Sequence, residues 1–188
     1  MKVSKTKSSL DGRRIILGVT GSIAAYKSAL IAGELVREGA IVTVVMTANA
    51  KRFVAPLTFQ TVTRNEVIHD LWASIESFDA EHVALAKAVD CIIIAPATAN
   101  IIAKAALGIA DDALSCLLMT ARAPVIYAPA MNTGMFLSPA VQRNIKTLVD
   151  VGAQFVGPAE GRLADGSIGI GRMADPEEIL TASKHVLE

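Results

Sequence analysis

At 188 residues the chain fits one domain, and a domain of that size buries about 70% of the surface its unfolded chain exposes. Eighteen basic residues balance eighteen acidic ones and no long basic run occurs, which argues against nucleic acid and an anionic membrane as partners. Hydrophobic residues make up 52% and aromatics only 4%, so the core must be aliphatic, as in a parallel sheet covered by helices.

In chain order, residues 1–12 with Lys2, Lys5 and Lys7 read as a disordered tail. The apolar stretch that follows is broken by Gly18, Gly21 and Ser22, unlike a secretory signal, and no run reaches the roughly 18 residues of a membrane span. A cytoplasmic protein is expected. Residues 14–19 read as a strand, 23–38 as a helix closed by Gly39, and 41–46 as a second strand. A helix begins at 50–53 and is interrupted by Pro56; 58–63 continue helical or irregular, and 66–69 form a short edge strand. Residues 80–88 read as a helix, 91–95 as a strand ending at Pro96, 99–107 as a helix closed by Gly108, and 113–120 as another helix. The remainder reads as a strand at 125–128, a helix at 139–151 stopped by Gly152, and a strand at 153–156. A final helix at 176–186 has Asp175 as N-cap and Pro176 at its first position. This alternation predicts an α/β fold over residues 13–188: a doubly wound open parallel sheet, Rossmann-like, in a flavodoxin-like three-layer sandwich. Residues 157–173, rich in glycine and without regular pattern, read as a functional flap or a disordered stretch. Cys91 and Cys116 lie in apolar segments without metal-ligand spacing, and the three histidines are scattered, so no metal site is expected.

Ligands of an open parallel sheet bind at the C-terminal ends of its strands, and polar residues gather at several of those ends. Gly18 to Ala24 makes a glycine-containing turn into a helix start, whose free N–H groups suit a phosphate. It is not G-x-G-x-x-G. The second strand ends at Thr47 and Asn49 with no acidic residue to grip a ribose, which argues against NAD. After the third apolar run, Thr98 and Asn100 either cap the next helix or face a ring system. The stretch Pro129 to Phe136 sets Asn132, a two-sided neutral hydrogen-bonding group, between Met131 and Met135. Thioethers of this kind serve as core or line pockets for flat apolar ligands. His82, early in its helix, has a near-neutral pKa suited to acid–base work, or is a surface or capping histidine.

Together these segments resemble the homo-oligomeric flavin-containing cysteine decarboxylases, above all phosphopantothenoylcysteine decarboxylase, from about residue 14 to residue 180. Gly21 to Lys27 resembles the family's FMN-phosphate turn, Pro96 to Asn100 its PASANT motif, and Pro129 to Phe136 its PxMNxxMW motif, with Phe136 for Trp. Gly169 to Pro176 resembles the end of its substrate flap. The resemblance implies FMN held by Gly21, Ser22, Ile23, Thr47, Asn49, Thr98, Ala99, Asn100 and Ala130. It makes His82 the group that moves protons at the reacting cysteine, and gives Asn132 the substrate carboxylate, with Met135 beside it. Where many members carry a proton-donating Cys in the flap, this chain has Asp165; Asp165 or bound water then supplies that proton, or the reaction halts at the enethiol. The implied reaction is FMN-dependent decarboxylation of 4'-phosphopantothenoylcysteine to 4'-phosphopantetheine in coenzyme A biosynthesis, by a homotrimer or a dodecamer of trimers. The alternatives are a peptidyl-cysteine decarboxylase of lantibiotic type and a non-catalytic FMN-binding regulatory protein.

Overall fold

The computed structural model describes residues 8–70 and 88–188. In order they form β1 (Arg14–Val19), α1 (Ala25–Arg37), β2 (Ile41–Met46), a 3-10 turn (Ala50–Arg52), α2 (Pro56–Thr63), β3 (Val67–Ile68), β4 (Cys91–Ala97), α3 (Ala99–Leu107) and α4 (Ala113–Thr120). There follow β5 (Val125–Pro129), α5 (Thr133–Phe136), α6 (Pro139–Asp150), β6 (Gln154–Phe155), β7 (Ala159–Arg162), β8 (Ile168–Arg172) and α7 (Pro176–Leu187). Six strands pair in parallel in the order β3-β2-β1-β4-β5-β6. The direction of progression reverses between β1 and β4, and that reversal opens the crevice in which such sheets bind ligands. The doubly wound α/β fold expected from the sequence is therefore the one formed.

The apolar runs are continuous because the sheet is buried on both faces. Along β4, Cys91, Ile93 and Ala95 enter one core layer with α1, α2 and α7, while Ile92, Ile94 and Ala97 enter the other with α3 and α4. Gly18 lets the second layer come close: a Cβ there would lie 2.6 Å from Ile94 and 2.7 Å from Leu114.

Three expectations change, and a fourth falls almost wholly outside the described residues. Residues 8–12 are packed rather than a tail, since Leu10 is fully buried and the Gly12 N–H donates to the Gly39 carbonyl at 2.9 Å. Burial of one leucine outweighs the polar composition around it. Pro56 does not interrupt a helix; it occupies the first turn of α2, where its missing N–H costs nothing. The flap is neither irregular nor disordered, because β7 and β8 pair antiparallel into a hairpin. Of the helix expected over 80–88, residues 80–87 lie outside the described residues, and Ala88 is a bend.

Candidate functional site

At the reversal point, β1 and β4 are cross-bonded by side chains. Thr20, buried at the end of β1, donates its hydroxyl to the Pro96 carbonyl at 2.6 Å and accepts from the Thr98 N–H at 3.2 Å. Thr98 in turn caps α3 through the Ile101 N–H. Ser28 of α1 donates to the Ala95 carbonyl at 2.6 Å and anchors that helix to the same strand end. These bonds tie the ends of β1 and β4 to one another and to α1. Sequence reasoning passed over Thr20 and Ser28, although a hydroxyl inside an otherwise apolar run already signals a buried partner.

The turn from β1 to α1 meets the end of β2 at Gly21, where a Cβ would lie 2.5 Å from the Asn49 Cβ. Only glycine permits that approach. Thr47 accepts from the Ala50 N–H at 3.3 Å and so shapes the β2 end. Among the described residues, the Gly21 and Ile23 N–H groups have no protein partner.

A cavity of about 610 Å³ lies beside this turn. Ser22, Ile23, Tyr26 and Lys27 form one wall, Ala130, Met131 and Asn132 form another, and the hairpin closes it with residues 162–165 and 171–173. Of the residues singled out from the sequence, Ser22, Ile23, Ala130, Asn132 and Asp165 converge here. Gly21, Thr47, Asn49, Thr98, Ala99 and Asn100 sit at the adjoining strand ends without lining the cavity; Asn49 and Asn100 are exposed there. Met135 is half exposed and outside the lining. His82 lies outside the described residues. Arg162 and Leu163 were missed, because nothing in the flap's composition shows which residues turn inward.

Asn132 caps the short α5, its Oδ1 accepting from the Gly134 N–H at 2.8 Å. That bond fixes the amide plane and leaves Nδ2 to donate elsewhere, which it does to Asp165 Oδ2 at 2.7 Å. The Ser167 hydroxyl and N–H, with the Asn132 amide, hold the Asp165 carboxyl below the usual carboxylate range. Toward Asn132 and Ser167 the carboxyl is an acceptor. At the rim, Lys27 lies 3.0 Å and Arg172 3.4 Å from Asp175, and the Lys27 hydrogen bond lowers the Asp175 pKa.

The donor set fits a flavin mononucleotide: unpaired N–H groups and a serine hydroxyl at a helix start for the phosphate, and a largely apolar wall for the ring. Residues 3–188 match the family model described as Flavoprotein. The chain belongs to the flavoprotein family. This flavoprotein is 48% identical over 180 residues to the coenzyme A biosynthesis bifunctional protein CoaBC of Bacillus subtilis, covering 95% of the chain and 44% of that protein. It therefore spans about half the length of the curated relatives it matches. Among solved structures it resembles a Cys-to-Ser mutant of a PPC decarboxylase complexed with pantothenoylaminoethenethiol, with a TM-score of 0.83 and 31% identity over 93% of this chain and 97% of that one. It is also similar to the FMN-dependent cysteine decarboxylase SpaF, with a TM-score of 0.82 and 33% identity over 95% and 97% of the two chains.

Proposed function

We propose that this flavoprotein is an FMN-dependent carboxy-lyase that decarboxylates 4'-phosphopantothenoylcysteine to 4'-phosphopantetheine in coenzyme A biosynthesis. The observation that carries the reading is the Asn132 amide, held by Gly134 and aimed into a cavity at the sheet's reversal point. Its similarity to decarboxylases over nearly the whole chain supports the same conclusion. Loss of CO2 from a cysteine carboxylate leaves an electron pair without a sink; bound FMN would supply reversible two-electron chemistry, taking two electrons from the thiol carbon so that a thioaldehyde can accept that pair, and returning them afterwards, so that the overall reaction is redox-neutral.

The protein's own part is positioning. Ser22 with the Gly21 and Ile23 N–H groups holds the flavin phosphate, with Thr47, Asn49, Thr98, Ala99, Asn100 and Ala130 around the rest of the cofactor. Asn132 Nδ2 donates to the substrate carboxylate and orients the bond that breaks. Met131 and Met173, on the walls, and the hairpin above exclude water. His82 moves the proton at the reacting cysteine. The test is CO2 release from 4'-phosphopantothenoylcysteine by the FMN-loaded protein, with His82→Asn and Asn132→Ala as controls. Both variants are expected to lose the activity while retaining FMN. Release from a peptide with a C-terminal cysteine but not from this substrate replaces the reading with the peptidyl one. A flavin-loaded protein active on neither is a binding protein.

The flavoprotein also acts as a homo-oligomer built from trimers. Ile23, in the turn before α1, and Tyr26 and Leu30 on α1 are 60%, 58% and 58% exposed, the first two lining the cavity, and an apolar patch of this kind is one that a second copy covers. Light scattering on the purified protein tests it, and a monomeric mass refutes it.

A further inference from the structure

The hairpin is held at its two ends by different means. Its base is fastened to the Asn132 loop, where the Met131 N–H donates to the Gly171 carbonyl at 3.0 Å and the Thr133 hydroxyl to the Ile170 carbonyl at 2.7 Å. Its tip is a self-contained turn, with Leu163 N–H to the Ser167 carbonyl at 2.8 Å and Gly166 N–H to the Leu163 carbonyl at 3.0 Å. Across the gap, among the described residues, the tip's hydrogen bond to the rest of the molecule is the one from Asn132 to Asp165.

Both partners are divided in the same way. Asp165 spends Oδ1 on the Ser167 N–H at 3.0 Å and the Ser167 hydroxyl at 2.6 Å, leaving Oδ2 for Asn132. Asn132 spends its Oδ1 on Gly134, leaving Nδ2 for Asp165. Each side chain is oriented by its own loop so that one atom faces the other. The group that Asn132 receives is a carboxylate, which is also what the substrate would present to it.

We propose that Asp165 is a built-in competitor for the Asn132 amide, latching the hairpin over the cavity and yielding only to a ligand that brings a carboxylate of its own. This rests on the reading of Asn132 as the carboxylate-binding group. A ligand without a carboxylate leaves the latch in place and gains nothing from Asn132. When the substrate's carboxylate departs as CO2, Asp165 recovers the amide, so the latch resets after each turnover and discriminates against the product. Asp165 is in this sense a specificity-determining residue rather than a proton donor.

The experiment uses the FMN-loaded full chain and two unreactive ligands that differ only in the contested group. One is the analogue of 4'-phosphopantothenoylcysteine in which serine replaces cysteine; the other is the matching ethanolamine compound, which lacks the carboxylate. Affinities are measured by calorimetry at neutral pH. Asp165→Ala is expected to bind the serine analogue about threefold to tenfold more tightly, since one modest hydrogen bond no longer has to be broken. Its affinity for the ethanolamine compound is expected to stay within about twofold. Equal shifts for both ligands, or none for either, overturn the latch. Asn132→Ala separates the two readings: if it binds the serine analogue as well as the parent does, the carboxylate-binding assignment of Asn132 fails, whatever Asp165 does. Without ligand, amide exchange across residues 163–167 rises in both variants if the latch holds, and an unchanged rate in both refutes it.

Discussion

Where β1, β4 and β5 end, side chains are buried and hydroxyls reach across to backbone carbonyls; where β7 and β8 stand, Ile168 is 79% exposed and polar contacts join the hairpin to the body. The first region takes its order from the hydrophobic core beneath it. The second takes its order from individual hydrogen bonds, each worth little on its own. A crevice floor built the first way keeps its shape with or without ligand, and a cover built the second way can open at small cost.

Ranked by their effect on stability, several substitutions test that division. Ile93→Ala, at a fully buried position in the central strand, is expected to cost about 2–5 kcal/mol in chemical denaturation, and FMN binding should weaken with it. Thr20→Val leaves the Pro96 carbonyl without its donor and is expected to cost about 1–3 kcal/mol. In thermal melts that amounts to roughly 2–4 °C for each kcal/mol in a chain of this size. If Thr20→Val melts like the parent, the cross-bond between β1 and β4 contributes no rigidity and the comparison fails.

In the hairpin the order of effects reverses, with large changes in activity and small ones in stability. A Cβ at Gly171 would lie 2.1 Å from the Met131 carbonyl oxygen, so Gly171→Ala should unseat the hairpin base. The proposed decarboxylation is expected to fall about tenfold to a hundredfold, as it does when a positioned group moves by about 1 Å, while the melting temperature moves less than in Thr20→Val. Ser167→Ala should leave the melting temperature unchanged and show only as faster amide exchange at the hairpin tip. The pH dependence is the finest probe. Because the folded pKa of Asp165 lies below its unfolded one, its contribution is complete above the unfolded value of about 3.9. It is lost as the pH falls through the lower folded value. The tighter binding of the serine analogue by Asp165→Ala should therefore be constant from neutral pH to about 4 and shrink below it.

The sequence alone showed the strand runs, the glycine-containing turn at Gly21 and the polar strand ends at Thr98 and Asn132. These are local signals, each set by the residues within a few positions. It also marked His82, for which the sequence remains the sole source. Folding decided which of these meet. The placement of β1 beside β4 joins Thr20 to Pro96, 76 residues away, and the docking of Leu10 brings the segment before β1 into the core. Pairing of β7 with β8 turns a glycine-rich stretch into a cover and carries Asp165 to Asn132, 33 residues upstream. Contacts of that range depend on how complementary faces pack, and no periodicity in a single segment records its distant partner.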